Sequence, residues 1–378
     1  MDQKHLDHKS TVNLGSYYTP SWLVDIVYTL IEKNIPNASD YTILDTSCGY
    51  GGFLRGEKTI GADIDQKAVE TAQTNSPESK YFNHNSLYEI SRPHYGLTND
   101  AKIIIVGNPP YNDTTSIIRN SIKRNEFMRD FDVMSRDLGI SFLLSYDKLT
   151  ADYVCVLHPL SYLIKKANFE ALWQFKNNYK LIDSFVVSSG VFSATSKTTS
   201  FPIIVALYER NLFGMEYNYI ENYKFITSEG KTFSLRQYDT IGKYISKYPN
   251  KNKVNSDDTV AYFYTMRDVN ALKRTATFLD NETYNSIRIT ADKMPYYCYV
   301  DIFKEYIPHI PYYFGNSDVM INNDAFTEMK DLFVTKSIKK HPKLSGCIES
   351  KKNYSDFEQP VKMYFRNLLG EHYVDSHD

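Results

Sequence analysis

The chain has 378 residues, a length that predicts two or three domains at roughly 150 residues per domain. Hydrophobic residues make up 42% and charged residues 23% of the sequence, which argues against a mainly disordered, collagen-like or coiled-coil protein. The 43 basic and 45 acidic residues leave a net charge of -2, so any site for a polyanion has to be local.

The first half of the chain alternates short apolar runs with helix-like segments. A helix is predicted from Ser21 to Lys33, where apolar residues share one face. Four apolar runs that each lead into a turn indicate buried parallel strands, at residues 41–44, 59–64, 102–106 and 153–157. Helix-compatible segments lie at 66–74 and 161–177. This alternation predicts a doubly wound α/β sheet.

Two strand-like runs end this half of the chain. Residues 181–188 and 201–208 are joined by a loop of Ser, Thr and Lys, which indicates a hairpin rather than a crossover. Beyond about Arg210 the regular rhythm of strands and turns is lost. We therefore predict one domain over residues 1–210 and a second over residues 211–378. The 32 Tyr and 21 Phe of the chain suit either a partly wet contact surface or a core.

The spacing of the cysteines and the length of the apolar runs indicate the cellular compartment and whether the chain binds a metal or a membrane. The four cysteines lie far apart without a C-x-x-C pair, which indicates neither a zinc ribbon nor a disulfide framework. The first residues are polar, and the longest apolar runs fall far short of the ~20 residues that cross a bilayer. We therefore expect a cytoplasmic protein that binds neither a metal nor a membrane.

Acidic residues and glycines follow the first two predicted strands. Asp45 ends the first strand and precedes a turn with Gly49 and Gly51, where bare backbone lets a ligand approach closely. Asp63 ends the second strand, the position at which α/β folds bind ribose hydroxyls. A helix cap is the alternative for such an acidic residue, and it fits Asp65 better than Asp63.

Two further segments carry amide side chains. Asn85 lies in a polar stretch where an amide suits an adenine edge, with a plain turn as the alternative. Asn108-Pro109-Pro110-Tyr111 follows an apolar strand, and its two prolines stiffen the turn. That turn would hold the Asn108 amide and the Pro109 carbonyl as two acceptors for a planar amino group. The ring of Tyr111 would let a flat substrate stack beside them.

Four motifs occur in order: Tyr17-Tyr18-Thr19-Pro20, Asp45 with Gly49-x-Gly51, Gly61-Ala62-Asp63, and Asn108-Pro109-Pro110-Tyr111. Together they resemble the S-adenosylmethionine-dependent DNA adenine-N6 methyltransferases of the γ motif order, the N-P-P-Y type of restriction-modification systems. The resemblance covers roughly residues 14–210. It implies a Rossmann-like doubly wound methyltransferase sheet with a C-terminal hairpin strand, followed by an α+β target-recognition domain.

The resemblance implies S-adenosylmethionine as the cofactor and assigns residues to it. The implied cofactor residues are Tyr18, Thr19, Pro20, Asp45, Cys48, Gly49, Gly51, Asp63, Ile64, Asn85 and Asn108. Thr19 and Pro20 would lie by the methionine carboxylate, and Asp45, Gly49 and Gly51 would line the methionine part. Asp63 would bind the ribose hydroxyls and Ile64 would pack on the adenine. Asn85 stands where the family usually has an Asp for the adenine amino group.

The resemblance also implies residues for the target. Asn108, Pro109, Pro110 and Tyr111 would be catalytic, and Phe192 would hold a flipped adenine against Tyr111. A buried Phe at a strand end is the alternative for Phe192, and His158 is expected to be structural. Candidate DNA-binding residues are Arg119, Lys123, Arg124 and Lys197, together with the runs 339–343 and 351–352, with a solvated surface as the alternative.

The predicted function is methyl transfer from S-adenosylmethionine to N6 of an adenine that is flipped out of duplex DNA. Double-stranded DNA is the predicted partner, and a separately encoded restriction endonuclease is a further partner that the resemblance leaves open. Two alternatives remain. Protein glutamine-N5 and ribosomal RNA methyltransferases share the same four-residue signature, and a non-catalytic DNA-specificity subunit can keep a methyltransferase fold.

Overall fold

The structure of the chain is a computed structural model, which describes residues 19–111, 128–192, 200–348 and 358–375. The chain divides into two compact units, residues 1–234 and residues 235–378. Among the residues described, no helix has the length and apolarity to cross a membrane.

The first unit is built on a seven-stranded sheet. Its strands are β1 (Thr42–Asp45), β2 (Thr59–Asp63), β3 (Lys80–Asn83), β4 (Ile103–Gly107), β5 (Tyr153–Pro159), β6 (Tyr179–Ser188) and β7 (Pro202–Arg210). They lie in the order β3-β2-β1-β4-β5-β7-β6, and β7 runs antiparallel to both of its neighbours. The first five strands are parallel to one another. This order confirms the predicted Rossmann-like doubly wound sheet with a C-terminal hairpin strand.

Helices cover this sheet and connect its strands. They are α1 (Ser21–Asn34), α2 (Gln66–Asn75), α3 (Leu138–Lys148), α4 (Ser161–Ile164), α5 (Lys166–Ala171), α6 (Trp173–Asn178) and α7 (Tyr217–Asn222). The predicted helix at 161–177 is three short helices, because Lys165 is extended between the first two, with φ -93° and ψ 114°. The sequence pattern does not indicate α3, because that helix is buried on nearly every side and has no polar face.

A buried apolar cluster holds α1 against the middle of the sheet. Leu23, Val27 and Ile31 of α1 join Ile104 of β4 and Val205 of β7 in this cluster. Each such side chain contributes about 1.5–3 kcal/mol when it is fully buried. The cluster thereby fixes the strands whose carboxyl ends carry the predicted site.

The first unit continues beyond the predicted boundary at residue 210. After β7 come α7, β8 (Phe225–Ile226) and β9 (Thr232–Phe233). The Tyr219 hydroxyl donates to the Leu181 carbonyl of β6 at 2.6 Å, and Thr227 forms a parallel bridge with Val186. Because this segment packs along β6, the structure divides the chain after Ser234.

The second unit is an α+β structure. Its elements are β10 (Asp239–Thr240), β11 (Ala261–Tyr264), α8 (Val269–Arg274), β12 (Phe278–Leu279), β13 (Ser286–Ile289), α9 (Met294–Phe303), β14 (Met320–Ile321), α10 (Asn323–Lys340) and α11 (Glu358–Leu369). β11 pairs antiparallel with β12 and β13, and β10 pairs with β14. Tyr299 of α9 is fully buried and has edge contacts with Phe326 and Tyr364. Some of the aromatic residues that mark the sequence therefore form the core of this unit.

Candidate functional site

The carboxyl ends of three adjacent parallel strands meet at one edge of the sheet. β1 lies between β2 and β4, in the registers Asp45 with Gly61 and Leu44 with Ile105. The strand order reverses between β1 and β4, and open α/β sheets bind ligands at such a switch point. The fold therefore brings Asp45, Asp63 and Asn108 to the edge where a ligand is expected.

The turn after β1 is tied to β2 through its backbone. Gly49 and Gly51 have φ values of 52° and 79°, in the left-handed region that glycine adopts without strain. The amide of Gly49 donates to Asp63 Oδ2 at 2.9 Å, and the amide of Cys48 donates to the carbonyl of Ala62 at 2.9 Å. The Cys48 side chain is buried, and burial raises the pKa of its thiol well above the ordinary value.

Two neighbouring carboxylates at the end of β2 have separate tasks. Asp63 accepts the amide of Gly49 on one oxygen and the amide of Asp65 on the other, each at 2.9 Å. Burial raises the pKa of Asp63, and these two amides act in the opposite direction. Asp65 caps α2 by accepting the amide of Lys67 at 3.0 Å. Between them, the Ile64 side chain is 54% exposed.

Asp45 is a buried carboxylate with a vacant acceptor. The side chain is 1% exposed, and its Oδ1 accepts the amide of Ser47 at 3.0 Å. Its Oδ2 has no hydrogen-bond partner among the described residues. Burial, supported by the charge of Asp63, raises the pKa of Asp45 to about 8. A Cβ at Gly107 would lie 2.8 Å from Asp45 Oδ1, so β4 passes this carboxylate only because residue 107 has no side chain.

The nitrogen of the Asn108 side-chain amide forms a hydrogen bond, whereas its oxygen has no partner among the described residues. Its Nδ2 donates to the Thr19 hydroxyl at 3.1 Å. Its Oδ1 is buried and has no partner within the described parts of the chain. Pro20 is the residue before α1, so Thr19 comes from the segment that enters that helix. Pro109 is buried, while Pro110 and Tyr111 are half-buried.

Four buried oxygen atoms without partners lie at the carboxyl ends of β1 and β4. They are Asp45 Oδ2, Thr46 Oγ1, Ser47 Oγ and Asn108 Oδ1, again counting only the described residues as partners. A buried polar group without a partner costs about 1–3 kcal/mol. Such a group of atoms fits a ligand rich in hydrogen-bond donors. Thr46 and Ser47 directly follow Asp45 in the turn, and no sequence motif marks either of them as a site residue.

Both ring nitrogens of His158 form hydrogen bonds inside the sheet. Its Nδ1 donates to the Pro159 carbonyl at 2.9 Å, and its Nε2 accepts from the Tyr208 hydroxyl at 2.8 Å. The ring is fully buried and stacks on Tyr162 with 5.3 Å between ring centroids. Burial lowers the pKa of His158 to about 4, so the imidazole is neutral near pH 7, in keeping with the expected structural role.

Two predicted site residues have other surroundings in the structure. Asn85 Oδ1 accepts the amide of Leu87 at 3.0 Å, and Asn85 Nδ2 donates to the Met128 carbonyl at 2.7 Å. These contacts are those of a turn, the alternative that the sequence left open. Phe192 is 2% exposed and belongs to the core cluster beneath α1. It therefore has the position of a buried Phe at a strand end, its alternative interpretation.

The remaining predicted contact residues lie either outside the described residues or in the basic run of the second unit. Tyr18, Arg119, Lys123, Arg124, Lys197 and residues 351–352 lie outside the described residues. Of the basic run at 339–343, Lys340 and His341 contact Asp301 at 3.3 and 3.1 Å, and Lys343 pairs with Asp280 at 2.7 Å. These three residues of the run are therefore engaged with carboxylates of the second unit.

Comparison with known proteins gives remote structural likeness only. No family model matches the chain, and no curated protein matches it. A type I restriction-modification methyltransferase subunit from Streptococcus thermophilus is 15% identical, with a TM-score of 0.39 over 59% of this chain and 48% of that one. A TehB-like S-adenosylmethionine-dependent methyltransferase from Corynebacterium glutamicum is 15% identical, with a TM-score of 0.28 over 49% of this chain and 87% of that one. The matched part thus spans about half of the restriction-modification subunit. The strand order of the sheet itself identifies the fold.

Proposed function

We propose that the chain is an S-adenosylmethionine-dependent methyltransferase that modifies N6 of adenine in duplex DNA. The observation that carries this proposal is the vacant Asn108 Oδ1, which is buried at the switch point of the sheet. Asp45, with its own vacant oxygen, ends the neighbouring strand. The resemblance of the four sequence motifs supplies the reaction and the substrate class.

The residues after β1 and β2 fit the proposed cofactor. Asp45 Oδ2 suits the ammonium of the methionine part, whose positive charge would lower the pKa of this carboxyl and so ionise it. The hydroxyls of Thr46 and Ser47 offer further hydrogen bonds. Each oxygen of Asp63 accepts one amide, and a carboxylate oxygen keeps capacity for a second donor such as a ribose hydroxyl. The exposed Ile64 offers an apolar surface to a purine. When it is bound, the cofactor supplies an electrophilic methyl group on its sulfonium.

The turn after β4 would orient the target amino group. Asn108 Oδ1 and the Pro109 carbonyl would each accept one hydrogen of that group, which directs the lone pair of its nitrogen toward the methyl donor. Thr19 holds the amide from the opposite side, so little rearrangement is needed. Orientation of this kind accounts for a large part of the acceleration of group-transfer reactions. The engaged, neutral His158 is no candidate for a general base.

Access to the adenine requires that the base leave the helix. Extrusion costs on the order of a few kcal/mol, and stacking on an aromatic ring returns ~1–3 kcal/mol per base. Tyr111 is the aromatic residue that we assign to this stacking. Phe192 would have to leave the core before it could contribute, so it is not part of the proposed pocket.

We also propose the division of labour along the chain. The first unit would bind the cofactor and catalyse methyl transfer, and the second unit would recognise the DNA target. Double-stranded DNA in the cytoplasm would be the partner, and a separately encoded restriction endonuclease would share the recognised sequence.

The test is a methyl-transfer assay with tritiated S-adenosylmethionine and unmethylated plasmid DNA. We expect label on N6 of adenine with the wild type and at least about a 100-fold lower rate with Asn108→Ala. Asn168→Ala is the matched control, because Asn168 Nδ2 donates to the Ser161 carbonyl at 3.1 Å, a contact outside the candidate site. An unchanged rate for Asn108→Ala would disprove the proposed mechanism.

Parallel acceptors separate the alternatives. Label on a release factor or on ribosomal RNA, with none on DNA, would identify a protein glutamine or RNA methyltransferase. Failure of the wild type to bind S-adenosylmethionine in calorimetry would favour a non-catalytic specificity subunit.

A further inference from the structure

The Cβ atom of Tyr111 lies against the first turn of α3 at Gly139, a residue without a side chain. A Cβ at Gly139 would come within 2.9 Å of Tyr111 Cβ and would overlap the hydroxyl of Tyr162. Real Cβ atoms essentially never approach other atoms so closely. Glycine at position 139 is therefore what allows α3, Tyr111 and Tyr162 to pack together.

Asp137 joins two of these groups through one oxygen atom. Its Oδ1 accepts the amide of Gly139 at 2.9 Å, which caps α3, and it also accepts the hydroxyl of Tyr162. Tyr162 is 1% exposed, so its ring position is fixed by packing as well as by this hydrogen bond. The first turn of α3 and the ring of Tyr162 are thus tied to the same carboxylate.

The far side of Tyr162 rests on the sheet. Its ring stacks on His158 of β5 with an interplanar angle of 11°, and His158 in turn accepts from the Tyr208 hydroxyl of β7. Burial and the charge of Asp137 raise the pKa of Tyr162, and Tyr111 adds to the increase. The phenol of Tyr162 is therefore a protonated donor near neutral pH.

We infer that Tyr162, held by Asp137, is a positioning residue that sets the location of the Tyr111 ring. The inference rests on the proposed function, in which Tyr111 stacks on the target base. Tyr162 would touch neither base nor cofactor. It would act by keeping α3 and Tyr111 at a fixed distance from strands β5 and β7, so that a base is stacked where the Asn108 amide can reach its amino group.

Tyr162→Phe tests this role, because it removes only the hydroxyl and keeps the ring stack on His158. We expect kcat for methylation of plasmid DNA to fall about 10-fold or more, with an unchanged dissociation constant for S-adenosylmethionine. Tyr179→Phe is the matched control. Tyr179 is also fully buried and donates to the Ala151 carbonyl at 2.6 Å, and it begins β6 beside the amino end of β5, away from the candidate site.

A second readout follows Tyr111 directly and needs no substrate. Full-length protein labelled with 3-fluorotyrosine gives a fluorine NMR resonance for Tyr111, which is assigned by its loss in Tyr111→Phe. We expect Tyr162→Phe to shift or broaden this resonance and Tyr179→Phe to leave it in place. A purely structural role would lower the melting temperature and leave both kcat and the resonance as they are in the control.

The outcomes separate the inference from the function on which it rests. An unmoved Tyr111 resonance in Tyr162→Phe, or a kcat equal to that of Tyr179→Phe, would overturn the inference and leave the proposed function standing. A wild type that methylates no DNA would refute the proposed function, while the resonance would still decide whether Tyr162 positions Tyr111.

Discussion

In the described part of each unit, one aspartate is buried more deeply than the others, and the two residues differ in their hydrogen-bond partners. Asp45 of the first unit is 1% exposed and Asp301 of the second unit is 0% exposed. Asp301 accepts the Thr277 hydroxyl at 2.6 Å and the Ser337 hydroxyl at 3.1 Å, and it also contacts Lys340 and His341. Asp45 accepts one backbone amide and keeps one oxygen vacant among the described residues.

The difference separates a structural carboxylate from one that is prepared for a ligand. A buried charge is costly unless hydrogen bonds and opposite charges compensate it. Asp301 of α9 receives that compensation from within its own unit, from Thr277 just before β12 and from Ser337 of α10. Asp45 has fewer compensating partners. Its negative form is therefore disfavoured, and the pKa of this carboxyl is raised. Burial alone would rank the two residues alike, whereas their partners distinguish them.

The largest expected effect is on stability, through Asp301→Ala. The substitution leaves the buried hydroxyls of Thr277 and Ser337 without their acceptor, and each unsatisfied group costs about 1–3 kcal/mol. We expect a loss of about 3 kcal/mol in the free energy of unfolding, measured by urea denaturation followed by circular dichroism. Affinity for S-adenosylmethionine should not change under native conditions. A stability loss below about 1 kcal/mol would contradict a structural role for Asp301.

Asp45→Asn should produce the opposite result. A hydrogen bond from an ammonium to a carboxylate is worth about 1.5–3 kcal/mol, against about 1 kcal/mol for a neutral acceptor. The difference of about 0.5–2 kcal/mol should raise the dissociation constant for S-adenosylmethionine about 2- to 30-fold in isothermal titration calorimetry, with little loss of stability near pH 7. Asp301→Asn serves as the control. An unchanged dissociation constant for Asp45→Asn would refute the assignment of this carboxylate to the cofactor.

The raised pKa of Asp45 should be visible in the pH dependence of stability, in the absence of any ligand. Its pKa is about 8 in the folded chain and about 3.9 in an unfolded one. Between these values the unfolded chain binds fewer protons, so the stability contributed by this group is complete below about pH 4 and is lost as the pH rises toward 8. We expect the wild type to lose about 1 kcal/mol relative to Asp45→Asn between pH 6 and pH 7. Parallel stability curves for the two proteins would contradict the raised pKa.

Much of the first unit follows from local sequence signals. Apolar runs of four to seven residues that end in Asp or Asn mark β1, β2 and β4, and the carboxyl ends of adjacent parallel strands must meet. That rule alone brings Asp45, Asp63 and Asn108 together. The strand β3 is not indicated by an apolar run, because it is a polar edge strand with Lys80 and Asn83 exposed.

Other features depend on tertiary contacts that no local pattern carries. α3 is buried almost all round, so its sequence lacks the apolar stripe by which a surface helix is predicted. Asp137 and Gly139 therefore have no recognisable motif, although Gly139 lies against Tyr111. The amide of Asn85 has the residue type of a base contact, but the Met128 carbonyl that it binds is 43 residues away in the sequence. The second unit offers only short strands, and its α+β structure depends on aromatic packing between distant residues.

The smallest expected effect is the loss of stability in Asp65→Ala, which distinguishes Asp65 from the nearby Asp63. Asp65→Ala removes the cap of α2 and should cost ~0.5–1 kcal/mol of unfolding free energy. It keeps the amide of residue 65, which donates to Asp63, so affinity for S-adenosylmethionine should stay within about 2-fold. Asp268→Ala is the counterpart in the second unit, where Asp268 caps α8 by accepting the amide of Ala271 at 2.8 Å. Asp63→Ala, in contrast, should weaken cofactor binding, and equal affinities for the Asp63 and Asp65 variants would show that neither carboxylate binds the ribose.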